Sequence, residues 1–320
     1  MISFTRFPWA IDNFFFDRAR FVLPSGRESK ARPRDYLVYV PGRYDAKQPT
    51  PIVVMLHGRP SSATEMARIS DMNATANRHG FIVVYPEGLN NEWNAQFDLF
   101  GKSSNSVRGG GKERPPVLQD DVGFLKALMD DLRVDLNIDA QLMYVAGFSN
   151  GGFMTLRMAC SASDIFPAFA EVGATLHSVM TEFCKSGRPA PTLFMHGTAD
   201  TSVSIDGVQI RDPQSGSVVR VTLSVKNTVM YFAQWNGCEL SGTNTEYAEG
   251  GRSPGTHVIR FVPRNCPPGS AIELYLIDGG GHQWPGVRGV LDEARFGRVN
   301  MDIHASEKIW AFFAAQRVSR

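Results

Sequence analysis

Residues 141–160 read QLMYVAGFSNGGFMTLRMAC. An apolar run of strand character ends at Phe148, and helical spacing begins at Asn150. The two elements meet within the five residues Gly147 to Gly151, which fit G-x-S-x-G. Such a junction leaves no room for a hairpin, so the next strand in the sheet is reached by a crossover. The rest of the chain repeats the alternation. Strands are expected at 35–41, 51–58, 81–88, 141–148 and 191–197, with two more in HVIRFV and AIELYLIDGG. Helices are expected at 64–80, 118–136, 150–160, 225–237 and 302–316, the first closed by Gly80. Asp120 and Asp121 fall near the start of the second, where carboxylates suit the helix dipole. This alternation predicts an α/β fold with a mainly parallel sheet covered on both faces. In such sheets functional groups collect beyond the carboxyl ends of the strands.

No repeat or linker divides the 320 residues, so a single catalytic domain is expected over 1–320. Residues 1–34 read as an N-terminal extension or an edge strand. Two long connections, 87–117 and 201–222, read as loops at the active edge of the sheet.

The serine of GFSNG is a candidate nucleophile. The glycines let neighbouring backbone pass close, and the turn displays the Ser149 hydroxyl beside the N-terminus of a helix. A serine alcohol needs a base, and the base needs an acid to orient it. With a nucleophile on this kind of turn, the partners follow in the order acid, then histidine. His282 lies in the glycine-rich turn IDGGGHQWPG directly after a strand and is the candidate base. His57 and His196 read as turn-packing residues, His257 begins a strand, and His304 lies on the last helix. Asp200 in HGTAD, just past a strand, is the candidate acid, with Asp206 as competitor. The oxyanion donors expected are the backbone N–H of Asn150 and one from the turn after VVMLHGRP. Pro60 has no N–H, so Arg59 is favoured there over Gly58.

The totals exclude several other classes. Net charge is +1, which gives no field to recruit nucleic acid or a membrane surface. No run approaches the ~20 apolar residues of a membrane span. There is no HExxH, no P-loop and no GxGxxG after a strand, so no metal site and no cofactor are expected. The first twenty residues carry Pro8, Asp12 and Asp17 and do not read as a signal peptide. The cysteines at 160, 184, 238 and 266 fit either two disulfides or four buried thiols.

Taken together, LHG, DDVGFLKALMDDL, YVAGFSNGGFMTLRMAC, PTLFMHGTADTSV, QWNGC and IELYLIDGGGHQWPG resemble a known group. It is the α/β-hydrolase esterases that include poly(3-hydroxybutyrate) depolymerases and feruloyl esterases. The resemblance runs from about residue 35 to the C-terminus. It implies an α/β-hydrolase fold, a serine hydrolase acting on an ester or polymeric substrate, and a periplasmic or extracellular location. It also implies cysteine pairing, Cys238 with Cys266 first and Cys160 with Cys184 second. It places Trp284, and with it Trp93, in the substrate cleft; for both the competing expectation is core packing.

One departure is the turn itself, where many relatives carry a cysteine or a small or apolar residue in place of Arg59. Lys102, Arg108, Lys112 and Arg114 stand against the single acid Glu113 in 101–114, and Arg288, Arg295 and Arg298 follow the base. With Arg59, these cations point to an anionic substrate, a pattern similar to the subgroup that hydrolyses poly(aspartic acid). Arg59 and Arg288 are therefore candidate substrate-binding residues. The alternatives are a neutral polyester, or a feruloyl or acetyl ester of a polysaccharide. A non-catalytic binding protein on the same scaffold would be expected to have lost a triad member, and here all three positions are competent.

Overall fold

A computed structural model describes residues 17–21, 34–95, 120–184, 187–211, 218–247 and 252–316. The basic segment 101–114 lies outside the described residues.

The strands are β1 (Asp17–Phe21), β2 (Arg34–Tyr39), β3 (Thr50–Leu56), β4 (Ile82–Pro86), β5 (Ile138–Phe148), β6 (Ala168–Val172), β7 (Thr192–Gly197), β8 (Gln209–Arg211), β9 (Val218–Arg220), β10 (Glu239–Tyr247), β11 (His257–Arg264) and β12 (Ile272–Asp278). The helices are α1 (Ala63–Ser70), α2 (Met72–His79), α3 (Asp121–Asp135), α4 (Asn150–Ser161), α5 (Met180–Cys184), α6 (Val225–Trp235), α7 (Glu293–Phe296) and α8 (Ala305–Ala315).

Ten strands form one sheet in the order β1-β2-β4-β3-β5-β6-β7-β12-β11-β10. Its centre, β4 to β12, is parallel, and antiparallel strands close both sides. The period-2 pattern of β3 explains why both faces are dry. Ile52, Val54 and Leu56 pack with α3, α4 and α6 on one face. Val53 and Met55 pack with α1, α2 and α8 on the other. The strand order reverses between the parallel neighbours β3 and β5, because β3 leads to β4 on one side and β5 leads to β6 on the other. The turns after β3 and β5 therefore open at the switch point of the sheet.

Three differences from the sequence expectation have local causes. The helix expected over 64–80 is two helices, broken at Asp71, which adopts a left-handed φ of 49°. The Ser70 hydroxyl satisfies the Met66 carbonyl at that break (2.8 Å). β6 was not expected, because AFAEV is short, alanine-rich and carries a glutamate. β10 was not expected either; it is an edge strand with mostly exposed polar side chains, so it carries no hydrophobic pattern.

The cysteines form two disulfides, Cys160–Cys184 and Cys238–Cys266, the pairing implied by the resemblance. They close loops of 24 and 28 residues, and on loop entropy alone each stabilises the fold by about 3 to 4 kcal/mol. Among the described residues no helix is long and apolar enough to cross a membrane.

Candidate active site

Ser149 stands between the end of β5 and the start of α4 with φ 55° and ψ −118°. A positive φ on a non-glycine residue is strained, and the surroundings hold it there. The Ser149 N–H donates to the Val172 carbonyl at the end of β6 (2.9 Å), and the Ser149 carbonyl accepts the first α4 bond from Phe153 (2.9 Å). The flanking glycines are required by close approach. A Cβ on Gly147 would land on the Gly151 carbonyl, and one on Gly151 would land on the Leu56 and His57 carbonyls. The turn after β3 is equally near, since a Cβ on Gly58 would sit 3.4 Å from the Ser149 Cβ.

The candidate acid and base meet although 82 positions separate them. His282 Nδ1–H donates to Asp200 Oδ2 at 2.6 Å. Asp200 Oδ1 accepts from the Ser202 and Val203 N–H groups, both at 2.8 Å. The carboxylate thus sits buried with three donors around it. The His282 ring packs on Phe148, the residue before the nucleophile, with centroids 4.7 Å apart. Its backbone N–H donates to the Phe296 carbonyl (2.6 Å). Asp206 is exposed in the turn Ser204–Gly207, and its backbone N–H bonds Ser204 Oγ, so it does not approach this pair. His196 is buried beside Asp200, 3.8 Å from Oδ2, and donates from Nε2 to the Val203 carbonyl (2.9 Å). Burial lowers its pKa and keeps it neutral, against the pull of Asp200.

The turn after β3 is fastened from several sides. His57 is fully buried and bridges two turns. Its Nδ1–H donates to the Gly58 carbonyl (2.7 Å), and its Nε2 accepts from the Gly88 N–H (2.9 Å). Both bonds require the neutral Nδ1–H tautomer. Burial pushes the His57 pKa down to about 4, against the Gly58 bond. Pro60 follows Arg59 through a cis peptide bond.

Trp93 joins this turn to the nucleophile's helix. Its indole N–H donates to the His57 carbonyl (3.0 Å), its backbone N–H donates to Asn150 Oδ1 (2.6 Å), and its carbonyl accepts from Asn150 Nδ2 (3.2 Å). The segments carrying both candidate oxyanion donors, Arg59 and Asn150, are therefore tied together through one buried tryptophan.

These contacts bear on three of the expectations. Trp93 is 3% exposed and Trp284 1% exposed, and both pack in the core, the competing expectation for each. Trp284 donates its indole N–H to Ser306 Oγ (3.3 Å), because a buried N–H needs a partner. The Arg59 guanidinium is not left for a substrate carboxylate alone, since its Nε pairs with Glu92 Oε2 at 2.9 Å. Arg288 is exposed and donates to the Arg252 carbonyl (3.1 Å), and Arg298 donates to the Gly255 carbonyl (3.3 Å). Arg295 lies over the Phe296 ring, 4.9 Å from its centre. Because His282 bonds Phe296 and Gly281 bonds Arg298 through the backbone, this cationic segment runs beside the base. Reading the sequence alone missed Glu171, a buried acid at the end of β6; an acid inside an apolar run was the available signal.

His57 and His177 both have pKa values pushed down to about 4 by burial, below the unfolded value of about 6.5. The unfolded chain therefore binds more protons in that interval. Their contribution to stability is complete above pH 6.5 and is lost as the pH falls towards 4, roughly 3 kcal/mol for each. Urea midpoints measured across this range are expected to fall with pH, and His57→Gln is expected to make the decline shallower.

A family model described as esterase PHB depolymerase matches residues 34–219. The chain is 31% identical to the putative esterase NocK of Nocardia uniformis subsp. tsuyamanensis, over 84% of this chain and 74% of that protein. It is 24% identical to feruloyl esterase B of Piromyces equi over 78% of this chain, which spans 42% of that longer protein. It is 32% identical to poly(3-hydroxyalkanoate) depolymerase C of Paucimonas lemoignei over 38% of this chain and 27% of that one. Among solved structures, the acetyl xylan esterase from Aspergillus awamori superposes with a TM-score of 0.55 at 16% identity, covering 88% of this chain and 94% of that one. That likeness concerns the fold.

Proposed function

The chain belongs to the esterase PHB depolymerase family and is a serine ester hydrolase, and from that premise we propose that Ser149, His282 and Asp200 form its catalytic triad. The observation that carries this reading is the 2.6 Å bond from His282 Nδ1–H to a buried Asp200, beside a nucleophile turn held at positive φ. That bond leaves His282 Nε2 as the basic nitrogen. In the proposed sequence, Ser149 Oγ attacks the ester carbonyl while Nε2 takes its proton. The oxyanion of the tetrahedral intermediate accepts from the N–H groups of Asn150 and Arg59. The intermediate collapses, the bond to the leaving group breaks (C–O in an ester, C–N in poly(aspartic acid)), and the imidazolium protonates the departing alcohol or amine. Water then attacks the acyl-enzyme by the same route, releasing the acid and restoring Ser149.

Substrate preference leans to an anionic polymer. Arg295 and Arg298 support this, since their backbone segment runs beside the base, and Arg288 follows the base in sequence. The Arg59–Glu92 pair favours the second reading, a neutral polyester or a feruloyl or acetyl ester, because it neutralises the cation nearest the nucleophile. Initial rates on poly(aspartic acid), poly(3-hydroxybutyrate) and methyl ferulate separate the two. The anionic reading expects poly(aspartic acid) cleavage that weakens as salt rises and in Arg288→Ala; cleavage of the neutral esters alone would remove it. Two disulfides support an oxidising compartment, periplasmic or extracellular. One continuous sheet supports a single catalytic domain.

A further inference from the structure

The end of β6 and the turn after it, residues 171–174, touch Ser149 and His282 and bond the strand that leads to Asp200. The Val172 carbonyl accepts the Ser149 N–H at 2.9 Å, and so holds the nucleophile's backbone. The Gly173 N–H donates to the Met195 carbonyl of β7 at 2.9 Å, the strand that ends at the Asp200 turn. Gly173 lies against the imidazole, and a Cβ built there would sit 3.0 Å from His282 Cε1 and 3.1 Å from Nδ1. Its φ is +69°, a conformation that side chains other than glycine rarely adopt. Glycine adopts that φ freely, so a neighbouring group must hold the turn in that shape.

Glu171 is the group in position to do so. It is 1% exposed, and its Oε2 accepts the Ala174 N–H at 2.7 Å, closing the turn on itself. We propose that Glu171 is a positioning residue for this reaction: by clamping the Ala174 N–H it fixes the Val172–Gly173 peptide, and through that peptide both the Ser149 backbone and the face of the His282 ring.

Burial raises the Glu171 pKa well above the ordinary carboxylate range, and the negative charge of Asp200 adds to this, against the bond from Ala174. Accepting from the Ala174 N–H requires no charge on Glu171. A glutamine has the same shape, carries no charge and offers the same acceptor.

This inference rests on the triad proposed above, and the test separates the two. The wild type, Glu171→Gln and Glu171→Leu are compared by ester kinetics and by the rate at which a fluorophosphonate labels Ser149, with thermal melts to register folding. Glu171→Gln is expected to keep kcat within about threefold. Glu171→Leu is expected to lose roughly 10- to 100-fold in kcat and in labelling rate with little change in KM, the scale of a displaced catalytic group. Gly173→Ala, which presses a methyl on the imidazole while leaving Glu171 in place, is expected to show the same kcat-only loss. If Glu171→Leu leaves the turn misfolded, the glutamine and Gly173→Ala variants decide. Wild-type kinetics in Gly173→Ala, or equal losses in the glutamine and leucine variants, would overturn the proposal. Absence of labelling at Ser149 in the wild type would instead overturn the triad.

Discussion

Asp200→Asn is expected to lower kcat by about 10⁴ while leaving the fold and substrate binding nearly intact. Asp200 accepts on both oxygens, from Ser202 and Val203 on one and from His282 on the other. In the asparagine variant one of these positions must become an NH₂ group. The two backbone N–H groups cannot accept, so the amide oxygen stays with them and the NH₂ faces His282. The imidazole then turns its unprotonated nitrogen to the amide and presents Nε2–H to Ser149. A protonated Nε2 cannot take the serine proton. Steady-state kinetics at neutral pH, with a melting curve to confirm folding, checks this. A loss below tenfold would mean that the Asp200–His282 bond does not serve the reaction.

The second large effect concerns stability. Gly151→Ala places a methyl on the Leu56 and His57 carbonyls, which belong to β3 and its turn. Neither obstacle is a flexible side chain. β3 lies at the centre of the sheet, paired on both sides and packed on both faces. Relief therefore requires moving α4 away from β3, at a cost of about 3 kcal/mol or more. Urea unfolding is expected to show this as a lowered midpoint with an unchanged slope. The same displacement would separate Asn150 from Trp93 and disturb the pair of oxyanion donors.

Much of the site was legible in the sequence because the fold puts its chemistry immediately after strands. Ser149, Asp200 and His282 each follow a run of strand character, Ser149 just before a helix and the other two in turns that carry glycine, so local pattern picked them out as candidates without knowledge of their contacts. What was not legible depended on partners distant in sequence. Arg59 reads as a lone cation in LHGRP, and only the path of the chain after β4 brings Glu92 to it. Trp284 follows the base directly, yet nothing local decides whether its ring turns outward or into the core beside Phe148 and Ser306. Trp93 was legible as important, but its role as a tie between His57 and Asn150 needed the geometry. β6 was hidden by its brevity and by Glu171, the acid that gives its turn a purpose.

The proposed triad makes Ser149 a nucleophile activated by a base held at Asp200. The most direct measurement is reaction with a fluorophosphonate probe at neutral pH, followed by mass mapping of the modified peptide. A single adduct on Ser149 is expected, lost in Ser149→Ala and formed far more slowly in Asp200→Asn. An adduct on another residue, or none in the folded wild-type protein, would contradict the triad.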